Sequence, residues 1–321
     1  MILPFAFLLI IPCLYGNWLG VAVGIAIILV TILGLFLRSI MTHVLYEKAL
    51  TLICVLSLTS TSCAISEKFI IPIFNDSFST RRITAMFFHP NYFGTVIGTV
   101  IIICAYKILT KQGKASLYYV IAFMNVISMY LCESMFAWVE VFFGVAVLLV
   151  TLKKSRLFAI WLLAAGLASF IIFRLNINII PRLSDVQVTT MLRLKIWKLA
   201  IVQIKDSMFF GHGFMSYLFV NKNNLTPHSH SIYLEMILNF GIAGTIIFLR
   251  LFIQYYKIVI KVCFKEKNTL ITTLIISLTV AALVHGVADI TLMWVQTLPL
   301  FMIVLSGIGA YEKHDKAVAK N

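Results

Sequence analysis

Charged residues are scarce in this sequence: Asp, Glu, Lys and Arg make up only 12% of its 321 residues. A soluble domain carries about 25% charged residues, because it must present a polar surface to water. With 61% hydrophobic residues, the deficit excludes a water-soluble globular protein. It predicts that lipid surrounds most of the chain.

Acidic residues are scarcer than basic ones, 12 against 26, which gives a formal net charge of +14. The Lys and Arg residues stand in short clusters between apolar runs, where they orient helices in a membrane. We therefore expect no nucleic-acid partner. None of the six cysteines forms a C-x-x-C pair, so neither a metal site nor a disulfide framework is predicted.

Long apolar runs predict an all-α polytopic membrane protein. A transmembrane helix needs about 20 apolar residues, and the first run lacks the basic n-region and cleavage site of a signal peptide. The expected fold is a single integral membrane domain, residues 1–321, with about ten transmembrane helices. Their predicted ranges are 2–15, 18–37, 49–66, 90–107, 115–132, 135–152, 157–174, 232–251, 269–288 and 291–310.

The distribution of Lys and Arg predicts the orientation. With the N-terminus in the cytoplasm, most basic residues of the short loops fall on the cytoplasmic side, as the positive-inside rule requires. Both termini are then cytoplasmic, and residues 176–231 become one large extracytoplasmic loop. The predicted location is the cytoplasmic (inner or plasma) membrane, with the active site on its outer face.

One segment of this loop has the pattern of a short amphipathic helix. Between Thr190 and Lys205, apolar residues recur at helical spacing, while lysines lie off that stripe. The apolar residues are Leu194, Trp197, Ile201 and Ile204. We expect this helix to lie on the outer membrane face.

Arginines are concentrated in the predicted outer segments. Arg81, Arg82 and Arg193 carry forked donors that suit phosphate oxygens. Anionic lipid headgroups or solvent would satisfy the same side chains. Arg182 fits the solvated alternative better.

His228 and His230 form a Pro-His-Ser-His sequence just before an apolar span. Histidine can act as a general base near neutral pH, although two solvated loop histidines would give the same pattern. No Cys or acidic residue stands at ligand spacing nearby, so a metal site is not expected. Glu235 lies one turn into the span that follows.

Ionisable residues inside predicted spans are costly and are therefore candidates for function. Glu140 lies well inside its span. His285 and Asp289 are four residues apart near the outer end of another, close enough to hydrogen-bond on a helix. An interhelical polar clamp fits His285 and Asp289 as well as a catalytic role does.

Several short motifs occur in a fixed order within residues 80–305. They are Arg82 before His89-Pro90-Asn91, Arg193 with Trp197, DSMFFGHGF from Asp206 to Phe214, TPHSHSIYLEMILNFGIAGTIIFL from Thr226 to Leu249, and His285-Gly286 with Asp289. In this order they resemble the O-antigen ligase and O-antigen polymerase superfamily. The chain departs from the superfamily pattern at Ser231, where members often have Asn, and at Met135, where they often have Arg.

The resemblance implies a membrane glycosyltransferase of surface polysaccharide biosynthesis that needs no cofactor and no metal. Similar proteins move glycan from undecaprenyl diphosphate to an acceptor hydroxyl at the outer face of the cytoplasmic membrane. Polymerases use a new lipid-linked repeat unit as acceptor, and ligases use a terminal acceptor such as the lipid A core. Polymerase is favoured here, because it does not require a Gram-negative core acceptor.

The resemblance also assigns partners and roles. The expected partners are the undecaprenyl-diphosphate-linked donor, a glycan or lipid acceptor, the lipid bilayer and other polysaccharide-assembly proteins. The implied diphosphate ligands are Arg82, Arg193 and, in support, Arg81. The implied catalytic residues are His230, His228 and Glu235, and the supporting residues are His285, Asp289 and Glu140.

Two other functions fit a chain with many spans. A transporter or flippase for a lipid-linked sugar would place its functional polar residues near the bilayer midplane. Among the candidate residues, only Glu140 lies deep in its predicted span. A non-catalytic assembly partner would tolerate substitution of both His228 and His230.

Overall fold

The computed structural model describes residues 2–75, 81–175, 182, 185–220, 226–265 and 269–311. These residues form helices joined by short turns, and no strand occurs among them. The predicted all-α class is confirmed.

Helices occupy all ten of the predicted apolar ranges, and three further helices lie between them. The helices are α1 Ile2–Leu14, α2 Trp18–Ile40, α3 His43–Ile65, α4 Ile71–Phe74, α5 Pro90–Leu109, α6 Ala115–Cys132, α7 Met135–Thr151, α8 Ser155–Leu175, α9 Val186–Asp206, α10 Ser216–Val220, α11 Ile232–Lys265, α12 Leu270–His285 and α13 Leu298–Ser306. A π-helical turn, Ser66–Ile70, joins α3 to α4, and a 3₁₀ turn, Thr291–Met293, precedes α13.

Six helical segments in the described part of the chain are long and apolar enough to cross a membrane. They are Trp18–Ile40, His43–Phe74, Pro90–Leu109, Ala115–Cys132, Ser155–Ile172 and Ile232–Lys265. Three apolar helices are shorter, namely Met135–Thr151, Leu270–His285 and Leu298–Tyr311, and α1 has 13 residues. The count of ten crossings stays a prediction.

The predicted large loop, residues 176–231, is described in part. Residues 176–181, 183–184 and 221–225 lie outside the described residues, as does the basic C-terminal segment 312–321. Within the loop, α9 has 21 residues and contains the whole predicted helix.

The predicted apolar stripe of α9 is only partly the face that packs. Trp197 and Ile204 contact a buried cluster, whereas Leu194 is 42% exposed and Ile201 is 44% exposed. Apolar residues face lipid as well as the protein interior in a membrane protein. Hydrophobic periodicity alone therefore did not identify the packed face.

The helices form two compact units. The first contains the described residues of Met1–Ile40, Gln187–Lys267 and Gly286–Asn321. Its helices α1 and α2 form a hairpin across Gly16, which has φ +64°, and α2 also packs on α13. A core of Leu8, Phe214, Met215 and Phe240 joins α1 to the start of α11.

The second unit contains the described residues of Met41–Val186 and Asn268–His285. Helix α5 is its centre: it packs on α3, α6, α7 and α12, and most of its residues are buried. Small residues permit close packing, as membrane helices require. A Cβ on Gly94 would lie 2.8 Å from the Ser134 side chain, and one on Gly144 would lie 2.3 Å from that of Ile102.

Candidate active site

Two histidines and a buried aspartate lie together in the first unit. His228 and His230 stand in the turn before α11, with ring centroids 4.3 Å apart. Asp289 faces both rings: its Oδ1 lies 3.8 Å from Nε2 of His228, and its Oδ2 lies 3.5 Å from Nδ1 of His230. His228 and Asp289 are buried, while 14% of the His230 side chain is exposed. The cluster combines a fixed carboxylate with one partly open imidazole.

Backbone contacts hold this turn in place. His230 has φ +51°, and its N–H donates to Nδ1 of His228 at 3.2 Å. The N–H of Ile232 donates to the carbonyl of Gly286 at 2.8 Å. This last bond ties the start of α11 to the segment that carries Asp289.

The same three side chains stand close enough to hold a metal ion, with ligand atoms within 4.8 Å of one another. The fold thus supplies an acidic neighbour that sequence spacing did not reveal. Nδ1 of His228 accepts the N–H of His230, so the proton of the neutral ring resides on Nε2, the atom nearest Asp289. A metal ligand needs a lone pair at that nitrogen. The hydrogen bonding of His228 therefore disfavours a metal at Nε2 and suits a ring that anchors the turn.

Glu235 holds the backbone between the two histidines. Its Oε2 accepts the N–H of Ser229 at 2.8 Å, and its Oε1 accepts from Nδ2 of Asn239 at 3.2 Å. A carboxylate in the first turn that binds a backbone N–H just before the helix acts as in a capping box. Glu235 therefore supports the histidine turn through its backbone at Ser229.

Helix α11 is kinked at Gly241, which has φ 61° and ψ −173°. The kink removes the bonds that the N–H groups of Ile242 and Ala243 would make to the carbonyls of Leu238 and Asn239. Residues 208–213, here called the insert loop, replace them. The carbonyls of Met208 and Phe209 accept from Ile242 and Ala243 at 2.9 and 3.1 Å, and the N–H groups of His212 and Gly213 donate to Leu238 and Asn239 at 2.9 Å each.

Gly211 of the DSMFFGHGF motif and Gly241 of the Thr226–Leu249 motif therefore lie where these two segments pack against each other. A Cβ on Gly241 would lie 2.3 Å from the backbone of Phe209, and one on Gly211 would lie 2.5 Å from that of Asn239. Burial lowers the pKa of His212 in the insert loop, and the nearby Asp206 opposes this effect. The His212 ring packs on the Tyr15 ring, at a centroid distance of 5.5 Å.

Arg193 lies on α9 in the same unit. It is half-buried and precedes by one turn Trp197, which packs on the cluster of Ile196, Ala200, Tyr217 and Leu238. The Trp197 Nε1 is buried and has no hydrogen-bond partner within the described ranges. The packing of α9 thus fixes the backbone that carries Arg193.

Arg82 lies in the second unit and is held by three acceptors. Its Nη2 donates to Oδ1 of Asn91 at 3.2 Å and to the carbonyls of Cys132 and Glu133 at 3.3 and 3.1 Å. Those carbonyls belong to the C-terminal end of α6, where a cation is favoured. Its neighbour Arg81 is exposed.

The His89-Pro90-Asn91 motif starts α5. Nδ1 of His89 accepts the N–H of Asn91 at 3.2 Å, and Pro90 occupies the first helical position, where its fixed φ suits the helix. Oδ1 of Asn91 also accepts from Oγ of Ser134 at 3.3 Å. The motif therefore places the Asn91 side chain in contact with Arg82 and with Ser134, just before α7.

Glu67 is a residue that the sequence interpretation missed. It lies in the π-helical turn after α3. Its carboxylate accepts the N–H of Ala85 at 2.7 Å and that of Thr84 at 3.1 Å, with the Thr84 hydroxyl at 3.3 Å. Glu67 thereby holds the segment that carries Arg81 and Arg82. The π-helical turn, a feature frequent at functional sites, has no simple sequence signal.

Glu140 and His285 form a buried pair in the second unit. Nδ1 of His285 lies 2.6 Å from Oε2 of Glu140 and 3.0 Å from the Thr95 hydroxyl. The Thr99 hydroxyl donates to Oε1 of Glu140 at 3.5 Å. These contacts join α5, α7 and α12, which is the arrangement of an interhelical polar clamp.

The predicted site residues thus fall into two groups. The first unit holds His228, His230, Glu235, Asp289 and Arg193, and the second holds Arg81, Arg82, Glu140 and His285. The expected pairing of His285 with Asp289 assumed one continuous helix. Helix α12 ends at His285, so helical spacing does not apply to Asp289.

The chain has no significant match among curated proteins. Residues 117–249 match the family model of O-antigen ligase. The match runs from α6 into α11 and includes Arg193, His228, His230 and Glu235, while Arg82 and Asp289 lie outside it. It supports an O-antigen ligase-like or polymerase-like function in general, and it confirms the resemblance of this chain to the O-antigen ligase and O-antigen polymerase superfamily.

Proposed function

We propose that this protein transfers glycan from undecaprenyl diphosphate to an acceptor hydroxyl in surface polysaccharide biosynthesis, as a polymerase in preference to a ligase. The observation that carries the proposal is the buried Asp289 carboxylate, 3.5 Å from Nδ1 of His230. A carboxylate beside one ring nitrogen of histidine stabilises the imidazolium that forms when the other nitrogen takes a proton.

His230 is the proposed general base. Asp289 favours the tautomer that carries its proton on Nδ1, which leaves the lone pair on Nε2. In the transfer step, Nε2 takes the proton of the acceptor hydroxyl, and the acceptor oxygen bonds to the anomeric carbon. The bond from that carbon to the diphosphate oxygen breaks, and undecaprenyl diphosphate leaves. His228 anchors the turn, and Glu235 positions it.

Arginines are the proposed ligands of the leaving group. The diphosphate gains charge as the glycosidic bond breaks, and preorganised cations in a poorly hydrated site stabilise that charge. Arg193 is the proposed ligand in the first unit. Arg82, supported by Arg81, is the proposed ligand in the second.

The proposed setting is the outer face of the cytoplasmic membrane. Both termini are cytoplasmic in this proposal, about ten helices cross the bilayer, and residues 176–231 are extracytoplasmic. The isoprenoid tail of the donor enters sideways between helices, so that its diphosphate reaches the membrane surface.

The test is deletion of the gene in the native host, with the polysaccharide pattern analysed on a gel. Complementation uses wild-type protein, Arg193→Ala and His230→Ala, with Arg182→Ala as the matched control. Arg182 pairs with exposed Asp185 at 3.3 Å and has no proposed role. We expect wild-type protein and the control to restore long chains, and the other two variants to fail while still inserting in the membrane.

The deletion phenotype separates the functions. Single repeat units in place of long chains indicate a polymerase, and long chains left on the carrier lipid indicate a ligase. An unchanged pattern, or full activity of Arg193→Ala, would contradict the proposal. Repeat units retained in the cytoplasm would instead favour a lipid-linked sugar transporter, in which the buried Glu140–His285 pair would be the functional centre.

A further inference from the structure

The carboxylate of Glu67 binds a short segment of the second unit, residues 81–89, here called the arginine loop. It accepts two consecutive backbone N–H groups, those of Thr84 and Ala85, and also faces the Thr84 hydroxyl. Ala85 has φ +51°. Successive N–H groups at such a turn converge on one point and form an anion-binding concavity.

The side chain of Arg82 holds the same loop from another direction. Its Nη2 binds Asn91 at the start of α5 and two carbonyls at the end of α6. The loop is therefore fixed at its backbone by Glu67 and at one guanidinium nitrogen by α5 and α6. If either anchor is lost, only the other one fixes the direction of the guanidinium.

We propose that Glu67 is a positioning residue for donor binding: it fixes the arginine loop, so that Arg82 faces the diphosphate. This inference rests on the proposed function, which makes Arg82 a diphosphate ligand. Glu67 itself does not touch the substrate. Its carboxylate accepts the N–H groups of Thr84 and Ala85. Without this acceptor, the unsatisfied N–H groups would cost free energy away from water, and the loop would not keep a single conformation.

A double-mutant cycle on the full-length protein in detergent micelles tests this role. The variants are Glu67→Ala, Arg82→Ala and the double variant. The probes are binding of undecaprenyl diphosphate and kcat/KM for transfer from a lipid-linked repeat unit isolated from the native host. We expect Glu67→Ala to weaken binding about tenfold and the double variant to be no weaker than Arg82→Ala alone.

Three controls separate positioning from a folding defect. Glu67→Gln retains an acceptor for the loop and should bind within about threefold of wild type. Glu47→Ala removes a carboxylate near the start of α3, where Glu47 contacts Lys107 and Tyr106, and should lower thermal stability without weakening diphosphate binding. Glu67→Ala combined with Arg193→Ala should show multiplied effects, because Arg193 stands on another element.

Several outcomes would overturn the inference. Wild-type binding by Glu67→Ala, or multiplied effects with Arg82→Ala, would mean that Glu67 does not act through Arg82. Tighter binding by Glu67→Ala would mean that the carboxylate competes with phosphate for the loop. If Arg82→Ala is fully active while Glu67→Ala is defective, Glu67 does not act through Arg82. That outcome would overturn the inference but not the proposed glycosyl transfer. Absence of transfer by the wild-type protein would instead contradict the proposed function.

Discussion

The two imidazoles of the histidine turn have different surroundings. Nδ1 of His228 accepts the N–H of His230, and its ring is buried. His230 is partly open, and its Nδ1 faces Asp289. Since a base must reach the acceptor hydroxyl, this difference favours His230 as the proposed base and His228 as the proposed anchor of the turn.

Asp289→Asn tests the pairing at the residue scale. The amide removes the negative charge that stabilises the imidazolium, so we expect kcat to fall by about 10²-fold or more, while donor binding is retained. Initial rates of transfer and undecaprenyl diphosphate binding measure the two effects. Asp185→Asn, which changes an exposed aspartate, is the control. Unchanged kcat in Asp289→Asn would exclude this role.

Residue types and motifs were predictable from the sequence, but their partners were not. The sequence singled out both histidines and Asp289. It paired Asp289 with His285 because four residues separate them, and the end of α12 at His285 removes that geometry. Glu67 could not be predicted, because its role depends on a π-helical turn and on contacts with Thr84 and Ala85 in the arginine loop.

At the scale of elements, the insert loop turns the kink in α11 into a fixed bend. Four backbone hydrogen bonds join residues 208–213 to the two sides of Gly241. In a membrane, each unsatisfied backbone group costs several kcal/mol, so the loop and the kink stabilise one another. The nine residues before Gly241 form a separate short helix that carries Glu235.

Gly241→Ala tests this bend. The backbone conformation of Gly241 is essentially restricted to glycine, at a cost of about 1–3 kcal/mol for other residues, and the added Cβ would meet the backbone of Phe209 at 2.3 Å. We expect a lower Tm in detergent and loss of transfer. Gly166→Ala lies in α8, where no described atom outside the helix's own backbone is within 4 Å of the added Cβ, and it should leave both unchanged or raise Tm. Equal Tm values for the two variants would contradict this account.

Helix positions and several helix starts followed from the apolar runs, but the packed faces did not. Each predicted range contains a helix, because long apolar runs have few other solutions in lipid. The predicted starts at residues 90, 115, 135 and 232 are those of α5, α6, α7 and α11, whereas α3 begins six residues before its predicted range and α13 begins seven residues inside its predicted range. Helix α9 shows the limit for packed faces, since its exposed residues are as apolar as its packed ones.

At the scale of the whole molecule, large apolar side chains lie on the outside. Leu163 on α8 is 73% exposed, and Leu29 on α2 is 61% exposed. Such surfaces would aggregate in water and are the expected contact with lipid tails. Several apolar helices of this kind and the family match point to a membrane protein.

The proposed orientation can be measured with reporter fusions. The positive-inside distribution predicts that a fluorescent protein fused after Asn321 will fold in the cytoplasm. Alkaline phosphatase fused after Asp185 will be active, because it folds only outside the cytoplasm. A fusion after Lys154 serves as a cytoplasmic control. The reverse pattern would place the histidine turn on the cytoplasmic side and contradict an outer-face enzyme.

The bonds between the insert loop and α11 have an evolutionary consequence. All four join backbone atoms, so they depend on side-chain identity only where glycine is required, at positions such as 211 and 241. Other side chains of this region can therefore change without altering its path. We expect related chains to vary in these side chains and to share the bend.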